Sequence, residues 1–509
     1  MISIAPRGKM LKSLALFSVL GATVNFQEGY ANSYPNTAYL SFQQLFNDSY
    51  IHRGVKNGLS ETLFTWLWSL ALYIWFIGYL LGTFLTPLLT ERYGRKISLL
   101  VANLIAVCGS SIGFVSAVCK IPELFFVSRL VASTSSGLSF GSLILFLQET
   151  TSTEYRGLMS FFSETTFILC NVLGIAFGMN AIFGDNLPVL TGIAVIPAII
   201  ATLLCIPLKE TPKFLLLNRN DRSGALKSLE FYQGNKEDND EILDEMLLEA
   251  PTNKKKEPVW RSVYTVLVTP HLRHAFFIGC AALQVIVGIW AIVYLSTDLL
   301  STLFTEDEAQ MASLIFIIAN FCAGLCGMAI VERFGRRPLV LWLGSLNTLS
   351  LALYVLFDQL AAVHHQFRWG TIAAMVLNGV TYGLGLGPIA FFITSELVSQ
   401  QYRSVVQSMV FAVNTAASFA FSFATLPAFD MFKSWSFIPL FIVPSCISLL
   451  FLYFKMPETK GREVHDIVDE LWRKTSTNPV DFEAETMTIS TSSSSLDMNH
   501  NKKSNFTNI

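Results

Sequence analysis

Residues 91–96 read Glu-Arg-Tyr-Gly-Arg-Lys, and residues 332–337 read Glu-Arg-Phe-Gly-Arg-Arg. The second copy follows the first by 241 positions, close to half of the 509-residue chain. Both copies are charged turns between long apolar stretches, and their glycines, Gly94 and Gly335, permit a tight reversal of the chain. A charged pattern that returns at half-length indicates two repeated halves, which is typical of membrane transporters.

Two further charged patterns repeat with nearly the same offset. Glu149 precedes Arg156 by seven residues, and Glu396 precedes Arg403 by seven residues. A glutamate also follows the last apolar stretch of each half. Because Arg pairs with carboxylates and keeps its charge, we expect a latch whose ion pairs form between the halves when this end closes. The alternative role, setting topology alone, does not explain the carboxylates. The predicted latch residues are Arg92, Arg95, Glu149, Arg156, Glu210, Arg333, Arg336, Glu396, Arg403 and Glu458.

The composition excludes an ordinary soluble protein. Hydrophobic residues make up 52% of the chain and charged residues only 14%, against roughly 25% charged residues in a soluble domain. So few charges do not cover a globule of this size, and the surplus apolar surface must face lipid. The net charge of −2 gives no basic footprint for nucleic acid, so a nucleic-acid partner is not expected.

The sequence offers no catalytic or metal-binding pattern. Its eight cysteines form no CxxC pair and no His/Cys cluster, so neither a disulfide framework nor a zinc site is predicted. It also contains neither a nucleotide-binding loop nor a catalytic-triad signature. We therefore expect no enzymatic activity, no catalytic residues, no cofactor and no metal.

Twelve apolar segments are long enough to cross a membrane as helices, which takes about 20 residues each. We therefore predict an all-α membrane protein with two pseudo-symmetric six-helix bundles, residues 1–208 and 272–456. A cytoplasmic helical link spans 209–271, with a helix at about 221–249, and a cytoplasmic tail spans 457–509, disordered beyond about 475. The predicted spans, numbered 1 to 12, are 11–32, 62–90, 97–118, 122–147, 157–180, 187–208, 272–297, 311–331, 338–360, 369–395, 404–427 and 435–456.

Basic residues in the loops predict the orientation. The loops after spans 2 and 8 carry three Lys or Arg residues each, whereas loop 298–310 is acidic. By the positive-inside rule, both termini and the central link are cytoplasmic. The sequon at Asn47 then lies outside and predicts a glycosylation site, which favours the plasma membrane. The sequon at Asn505 lies in the cytosolic tail and should stay unmodified.

Short motifs follow one another in a fixed order between residues 11 and 463. They include Phe26-Gln27-x-Gly29-Tyr30, Phe46-Asn47-Asp48-Ser49, the two charged turns, Glu210-Thr211-Pro212-Lys213-Phe214, Gly387-Pro388-Ile389, Ser395-Glu396-Leu397 and Pro457-Glu458-Thr459-Lys460-Gly461. In this order and spacing they resemble the sugar porters of the major facilitator superfamily, and within them the facilitative glucose transporter (GLUT) branch. The resemblance implies the twelve-span fold and a sugar as the partner.

The resemblance also implies a sugar site near mid-membrane, lined mainly by spans 5, 7, 8, 10 and 11. Gln284, Asn320 and Asn414 match family sugar contacts, although mid-membrane amides also serve as bonds between helices. Other positions depart from the family: Gly383 replaces a glutamate and Thr415 replaces a tryptophan. We therefore expect a less polar pocket, and glucose itself is in doubt. The predicted substrate-binding residues are Glu164, Gln284, Trp290, Asn320, Phe391 and Asn414.

Two acidic residues add charge within the predicted spans. Glu164 stands where the family has a sugar-binding glutamine, and Glu28 stands where it has an aromatic residue. An acid within a bilayer needs a partner, and we expect Arg129 on span 4 to supply it. Proton-coupled relatives place an aspartate where this chain has Ala31, about one helical turn from Glu28. The acids could therefore be proton-linked, bind sugar hydroxyls, or be static and paired.

Span 10 contains Gly383, Gly385, Gly387 and Pro388 within six residues. Such a density of glycine and proline weakens a helix. We therefore predict a gate that bends at Gly385, Gly387 and Pro388.

Together these features predict a facilitative transporter of a hexose or a similar small polyol that works by alternating access. A monomer suffices for this activity, with the lipid bilayer as its surroundings. Three alternatives stay open: a proton-coupled sugar symporter, a porter for a non-sugar organic solute, and a transporter-like nutrient sensor that signals through its tail. The short tail of low complexity disfavours the sensor.

Overall fold

The computed structural model describes residues 4–55, 58–151, 153–234, 239–248, 259–460, 462 and 464–475. All regular structure in these ranges is helical. Helices satisfy their own backbone hydrogen bonds, which a chain in lipid must do because no water is available there. The predicted all-α fold class is confirmed.

The first half forms six membrane-spanning segments. Span 1 continues through the predicted boundary at residue 32 and ends at Thr37, and a further helix, Tyr39–His52, occupies what the sequence predicts as an outer loop. The sixth span is split into two helices. In order, the segments are Ile4–Thr37, Glu61–Arg92, Arg95–Cys119, Pro122–Thr150, Thr153–Gly178, and Leu187–Gly192 with Val195–Cys205.

The second half repeats this pattern of six segments. Its fourth segment is interrupted by a wider π-helical turn, and its sixth begins with one. In order, the segments are Pro270–Ser301, Glu306–Arg333, Arg336–Val363, Arg368–Thr381 with Tyr382–Leu386 and Gly387–Glu396, Gln400–Phe432, and Ile438–Ile442 with Val443–Lys455.

The outer surface of the helices is apolar. Ten helices in the described part of the chain are long and apolar enough to cross a membrane, and Phe162–Gly178 is a shorter apolar helix within span 5. Large hydrophobic side chains such as Leu88, Trp342 and Ile447 are exposed, between 58% and 78% of their surface. Surface of this kind is stable only against lipid, so the chain is a multi-pass membrane protein.

The charged turns occupy equivalent places in the two halves. Each joins the second and third segments, and Gly94 has φ 105° at its turn. A Cβ at Gly94 would lie 2.2 Å from a carboxylate oxygen of Glu210, and one at Gly335 would lie 2.3 Å from a carboxylate oxygen of Glu458. Because each carboxylate rests on its glycine, no larger residue fits without displacing it. The duplication seen in the sequence is therefore present in the structure.

The described part of the link between the halves contains four helices. The single helix predicted at about 221–249 is two helices, Arg222–Gln233 and Asn239–Leu248, because the first ends at Gly234, whose φ of 92° favours glycine. The other two are Pro212–Asn218 and Val259–Val268. A last helix, Val464–Thr475, was not predicted from the sequence. The predicted disordered tail lies outside the described residues.

Candidate functional site

A cavity of about 520 Å³ lies between the two halves and is the candidate site. Spans 1, 2, 4 and 5 line it from the first half, and spans 7, 10 and 11 line it from the second. This differs from the expected set, because spans 1, 2 and 4 contribute and no described side chain of span 8 does. The residues of this central cavity are Glu28, Asn32, Trp75, Phe76, Tyr79, Phe140, Glu164, Phe167, Trp290, Tyr294, Phe391, Asn414, Thr415 and Ser418.

Aromatic rings form most of the wall of the central cavity. Trp290 lies at the centre of this group, with ring centroids 6.2 Å from Phe167 and 6.3 Å from Tyr294. Phe140 of the first half meets Phe391 of the second at 6.1 Å. Pairs at these separations stabilise each other beyond simple burial, by about 0.5–1.5 kcal/mol each. The rings therefore form a rigid wall that crosses from one half to the other.

Both predicted acids lie in the central cavity. Glu28 is 9% exposed and Glu164 is 7% exposed. The hydroxyl of Tyr382, on span 10, donates to Glu164 Oε1 at 3.0 Å, so this bond joins the two halves. Within the described chain, Glu28 has neither a hydrogen-bond donor nor a cationic partner. The two acids therefore lie in the wall of one cavity.

Arg129 is not the partner of these acids, contrary to the expectation from the sequence. It is 2% exposed, and its guanidinium donates to the backbone carbonyls of Ala31, Ala71 and Leu72. The same group lies over the ring of Trp75, 4.6 Å from its centroid. The carbonyls and the ring face occupy the guanidinium, so it stabilises the packing of spans 1 and 2 against span 4.

The structure divides the predicted substrate-binding residues into two groups. Trp290, Phe391 and Asn414 join Glu164 around the central cavity, whereas Gln284 and Asn320 do not line it. Asn320 faces span 10 instead: a Cβ built at Gly383 would lie 2.7 Å from its Oδ1. Gln284 is half-buried, and its Nε2 has no partner within the described chain.

Sequence reasoning missed several cavity residues that helical spacing identifies in retrospect. Asn32 is four residues after Glu28, and Ser418 is four residues after Asn414, so each pair shares a helix face. Thr415 was treated only as a departure from the family, yet it lines the cavity. Tyr382 carries no such signal, because its position follows from the π-helical turn of span 10.

A second cavity, here called the vestibule, lies between the central cavity and the charged turns and shares Tyr79 and Phe140 with the central cavity. It measures about 970 Å³ and is lined by Arg95 and Glu149 from the first half and by Arg403 and Gln407 from the second. A third cavity of about 430 Å³ touches both Glu164 and Gln407. Phe140 borders all three. The three cavities therefore lie in series between the acids and the end of the molecule that carries the charged turns.

The opposite end of the molecule is closed by hydrogen bonds between the halves. Asn36 Nδ2 donates to the Val293 carbonyl at 3.0 Å and to Ser296 Oγ at 2.8 Å. Gln310 Nε2 donates to the Thr37 carbonyl at 3.1 Å. Buried amide bonds of this kind are costly to leave unmade. The structure is thus one conformation, closed at this end and hollow toward the charged turns.

The charged residues of the first half bind one another. Arg95 Nη2 lies 2.8 Å from Glu149 Oε1, and the hydroxyl of Thr211 donates to the other oxygen of Glu149. Glu210 Oε1 accepts from the backbone N–H groups of Arg95 and Lys96 at 2.9 and 3.1 Å. Burial raises the pKa of the Glu210 carboxyl, and these N–H groups act against that rise.

The second half repeats the arrangement with a looser ion pair. Arg336 Nε lies 3.7 Å from Glu396 Oε2, and the Thr459 hydroxyl donates to the same carboxylate. Glu458 accepts from the backbone N–H groups of Arg336 and Arg337 at 2.8 and 3.1 Å. These ion pairs lie within each half, whereas the latch was expected to pair across the halves; the vestibule keeps the halves apart here.

The remaining latch candidates are placed differently. Arg92 is exposed and lies over the ring of Tyr93, and the backbone carbonyl of Arg333 accepts from Lys460 Nζ at 2.7 Å. Arg403 lines the vestibule. The side chain of Arg156 lies outside the described residues.

The predicted gate on span 10 contains a real break. The π-helical turn Tyr382–Leu386 includes Gly385 at φ 150°, a conformation that L side chains rarely adopt. Gly387 and Pro388 then begin the next helix. A Cβ at Gly387 would lie 2.5 Å from the ring of Tyr382, so the small residues also position the tyrosine that binds Glu164. The gate assignment itself stays a prediction.

The glycosylation candidate lies on an ordered surface helix. Asn47 belongs to Tyr39–His52, and its Oδ1 accepts from the Leu59 backbone N–H at 3.0 Å. Its Nδ2 is the atom that carries a glycan, so this bond leaves the modification chemically possible.

A family model described as sugar (and other) transporter matches residues 17–472. Similar curated proteins include facilitated glucose transporter member 1 of Gallus gallus, 27% identical over 469 residues, which cover 90% of this chain and 94% of the relative. Member 3 of Homo sapiens is 28% identical over 461 residues, which cover 89% and 91%. The alignment therefore spans nearly the whole of both proteins.

Solved structures of the same fold include a major facilitator superfamily proton:xylose symporter, XylE, with a TM-score of 0.72 at 18% identity, covering 91% of this chain and all of that one. A fucose:proton symporter of E. coli gives a TM-score of 0.56 at 12% identity, covering 87% and 99%. At such identities the likeness concerns the fold, which is the twelve-helix arrangement of this superfamily.

Proposed function

The chain belongs to the sugar (and other) transporter family, and we propose from that premise that it carries a hexose or a similar small polyol across a membrane. The transport is facilitative and works by alternating access. The observation that supports this proposal most directly is the central cavity, which is closed toward one end and is followed by the vestibule toward the other. A carrier needs a site of this kind, reached from one side at a time.

We propose further that the end with the charged turns is cytoplasmic. The basic residues of these turns follow the positive-inside rule. Both termini, the link and the tail then lie in the cytoplasm, and Asn47 lies outside, at the plasma membrane. The two six-helix units, 1–208 and 272–456, are the bodies that move relative to each other.

The charged turns act as the cytoplasmic gate in this proposal. Arg95 and Glu149 face the vestibule from one half, and Arg403 faces it from the other. When the halves approach, these charges meet in a space that excludes water, where ion pairs are stronger than on a surface. The ion pairs within each half, Arg95–Glu149 and Arg336–Glu396, keep these side chains in position until the halves approach. Such a cycle needs no covalent chemistry, so we propose that the protein is not an enzyme.

Uptake into liposomes tests the proposed function. The purified chain is reconstituted, and uptake of labelled hexoses is measured for Asn414→Ala and for a matched control, Asn103→Ala. Asn414 lines the central cavity, whereas Asn103 donates to Cys205 Sγ away from it. Loss of a buried hydrogen bond is worth about 1 kcal/mol, so we expect uptake to fall roughly fivefold in the first variant and to stay nearly unchanged in the second. Absence of hexose uptake by the wild type contradicts the proposal.

The same liposomes separate facilitative transport from proton coupling. An imposed pH gradient, with the membrane potential clamped, should neither drive accumulation of the hexose nor change its final level. Accumulation that disappears in Glu164→Gln would identify the proton-coupled symporter instead. Deletion of residues 476–509 should leave uptake intact, which distinguishes a carrier from a sensor that signals through its tail.

A second candidate cargo class, a non-sugar organic solute, is favoured by one observation. The central cavity contains two carboxyl groups, and a cationic solute would match them in charge, which a neutral sugar would not. The two carboxyl groups therefore narrow the chemical class of solute that the cavity can bind.

A further inference from the structure

The central cavity has two carboxyl groups in its wall without a matching cation. Glu28 and Glu164 line it, and its described lining includes no Lys, Arg or His. Glu164 accepts only the neutral hydroxyl of Tyr382, and Glu28 has no hydrogen-bond or ion-pair partner in the described chain. A buried carboxylate without compensation costs several kcal/mol. A ligand that brings positive charge into the cavity would compensate the two carboxyl groups.

The nearest buried cation does not supply it. Arg129 donates to carbonyls of spans 1 and 2 and stacks on Trp75, a residue that lines the cavity. The guanidinium therefore lies against a ring that belongs to the cavity wall. The charge of Arg129 is used to hold the helices, and the two carboxylates are left for a ligand.

The walls of the cavity suit an organic cation. Eight of its lining side chains are aromatic, among them Trp75, Tyr79 and Trp290. The face of an aromatic ring attracts an ammonium group, by about 0.5–1 kcal/mol when exposed and by about 2 when desolvated. Among aromatic rings, tryptophan attracts a cation most strongly. Acids and ring faces in one cavity together resemble the cages that bind protonated and quaternary amines.

Neutral polar atoms complete the cavity on the side of span 11. Ser418 is 1% exposed, and its Oγ has no hydrogen-bond partner within the described chain. Asn414 Oδ1 likewise has none. Both residues line the cavity. Buried polar atoms without partners are costly unless a ligand or water binds them, so this side is suited to hydroxyl groups.

We propose that the cargo is a solute of hexose size that carries a protonated amine, such as a hexosamine. Its ammonium group binds between Glu28 and Glu164, its ring packs against the aromatic wall, and its hydroxyls reach Asn414 and Ser418. A proton alone would neutralise the acids but would leave the polar atoms and rings unused. A neutral sugar would use the rings and could donate hydroxyl groups to the carboxylates, but it would bring no positive charge to them. This inference rests on the proposed function, since it requires a carrier.

The test compares four labelled probes in liposomes that contain the full chain. Glucosamine has the ring and the charge, and uptake is measured at about pH 6, well below the pKa of a primary amine. N-acetylglucosamine has the ring with the amine neutralised, glucose has no amine, and choline has a fixed charge without the sugar ring. We expect uptake of glucosamine to exceed that of both neutral sugars by roughly tenfold, the value of one well-placed charge contact.

Variants then connect the preference to the acids. Glu28→Gln and Glu164→Gln should each lower the ratio of glucosamine to glucose uptake by about tenfold. The matched control is Glu123→Gln, which removes an acid that pairs with Arg53 on the surface, 2.5 Å away. The control should leave the ratio unchanged. The wild-type comparison of probes stands even where a variant fails to fold.

Each outcome decides between the two proposals. Uptake of glucose without preference for glucosamine leaves the hexose carrier intact and overturns the cationic cargo. Uptake of choline without any hexose supports the cationic cargo and overturns the hexose assignment. If none of the four probes enters, both proposals fail. An unchanged uptake ratio in both cavity variants also overturns the role of the acids.

Discussion

The charged turns and the central cavity were built under different constraints. The turns exist twice with the same chemistry: a glutamate receives two backbone N–H groups, and an arginine pairs with a second glutamate, in each half. The cavity exists once, and both of its acids come from the first half. Duplication thus preserved the charged turns and the helices that they join, here called the frame, which moves in the proposed cycle. The two halves diverged where the proposed cargo binds. A resemblance based on the frame therefore says little about the cargo.

The largest expected effect concerns the unequal ion pairs of the two turns. The Arg95–Glu149 pair is 2.8 Å long with side chains 15% and 10% exposed, whereas the Arg336–Glu396 pair is 3.7 Å long. Removing one partner of a buried pair costs more than removing one at a surface. We expect Arg95→Ala to lower the free energy of unfolding by about 2 kcal/mol and Arg336→Ala by about 1 kcal/mol. Denaturant unfolding in detergent measures both.

A double variant controls that comparison. In Arg95→Ala with Glu149→Gln, no unpaired carboxylate remains, so part of the loss should be recovered. Equal losses in the two halves would show that the turns are equivalent in energy as well as in chemistry.

The break in span 10 has no counterpart among the charged turns, and Gly385→Ala tests its role. The φ of 150° strains any residue with a Cβ, and that Cβ would lie 3.0 Å from Val331 Cγ2. Strain of this kind is worth about 1–3 kcal/mol, so we expect turnover to fall by roughly tenfold with little change in binding affinity. Uptake rates and equilibrium binding in detergent separate the two quantities.

Gly21→Ala is the matched control for the break, because a Cβ at Gly21 meets nothing within 4 Å. It should leave uptake unchanged. A lower uptake rate in Gly21→Ala, or a wild-type uptake rate in Gly385→Ala, would argue against a gate at span 10.

The bond between Tyr382 and Glu164 is the one described hydrogen bond of a cavity acid, and Tyr382→Phe removes it. A hydrogen bond to a charged group is worth about 1.5 kcal/mol or more, but the cargo replaces part of it. We expect cargo affinity to change about fivefold. Tyr73→Phe is the control, since the Tyr73 hydroxyl is buried and has no partner within the described chain. If both variants behave alike, the bond has no role in the site.

The smallest expected effect lies farthest from both regions, at Asn47. Asn47→Gln should remove a glycan and increase electrophoretic mobility in a cell that glycosylates, while uptake changes less than about twofold because one surface hydrogen bond is lost. Asn505→Gln, in the other sequon, should show no mobility shift. A shift at Asn505 alone would reverse the predicted orientation.

The frame could be predicted from the sequence because its signals are local. Residues 91–96 alone predict a charged turn, and the length of an apolar segment predicts a membrane span. The clustered glycines of span 10 predict the break that occurs at Gly385. The split of the link at Gly234 was missed, since a glycine within a helical pattern does not reveal its φ. The surface helix Tyr39–His52 was also missed.

The cavity was harder to predict because it depends on how each helix is rotated about its axis. Glu28 and Glu164 were identified by their charge and by their departure from the family pattern, but neither revealed that Arg129 is held by backbone carbonyls. Asn320 and Gln284 match a family pattern, yet packing turns them away from the cavity. Packing between distant segments decides how each helix is rotated, and no local sequence motif predicts that rotation.

The bond from Tyr382 to Glu164 has a kinetic consequence. It ties the turn of span 10 to the opposite half at mid-depth, so the halves cannot separate there without breaking it. A cargo that takes Glu164 as its own ligand removes that tie, whereas an empty carrier must break it unaided. The loaded carrier should therefore reorient faster than the empty one. Such a protein exchanges solutes across a membrane faster than it fills an empty compartment.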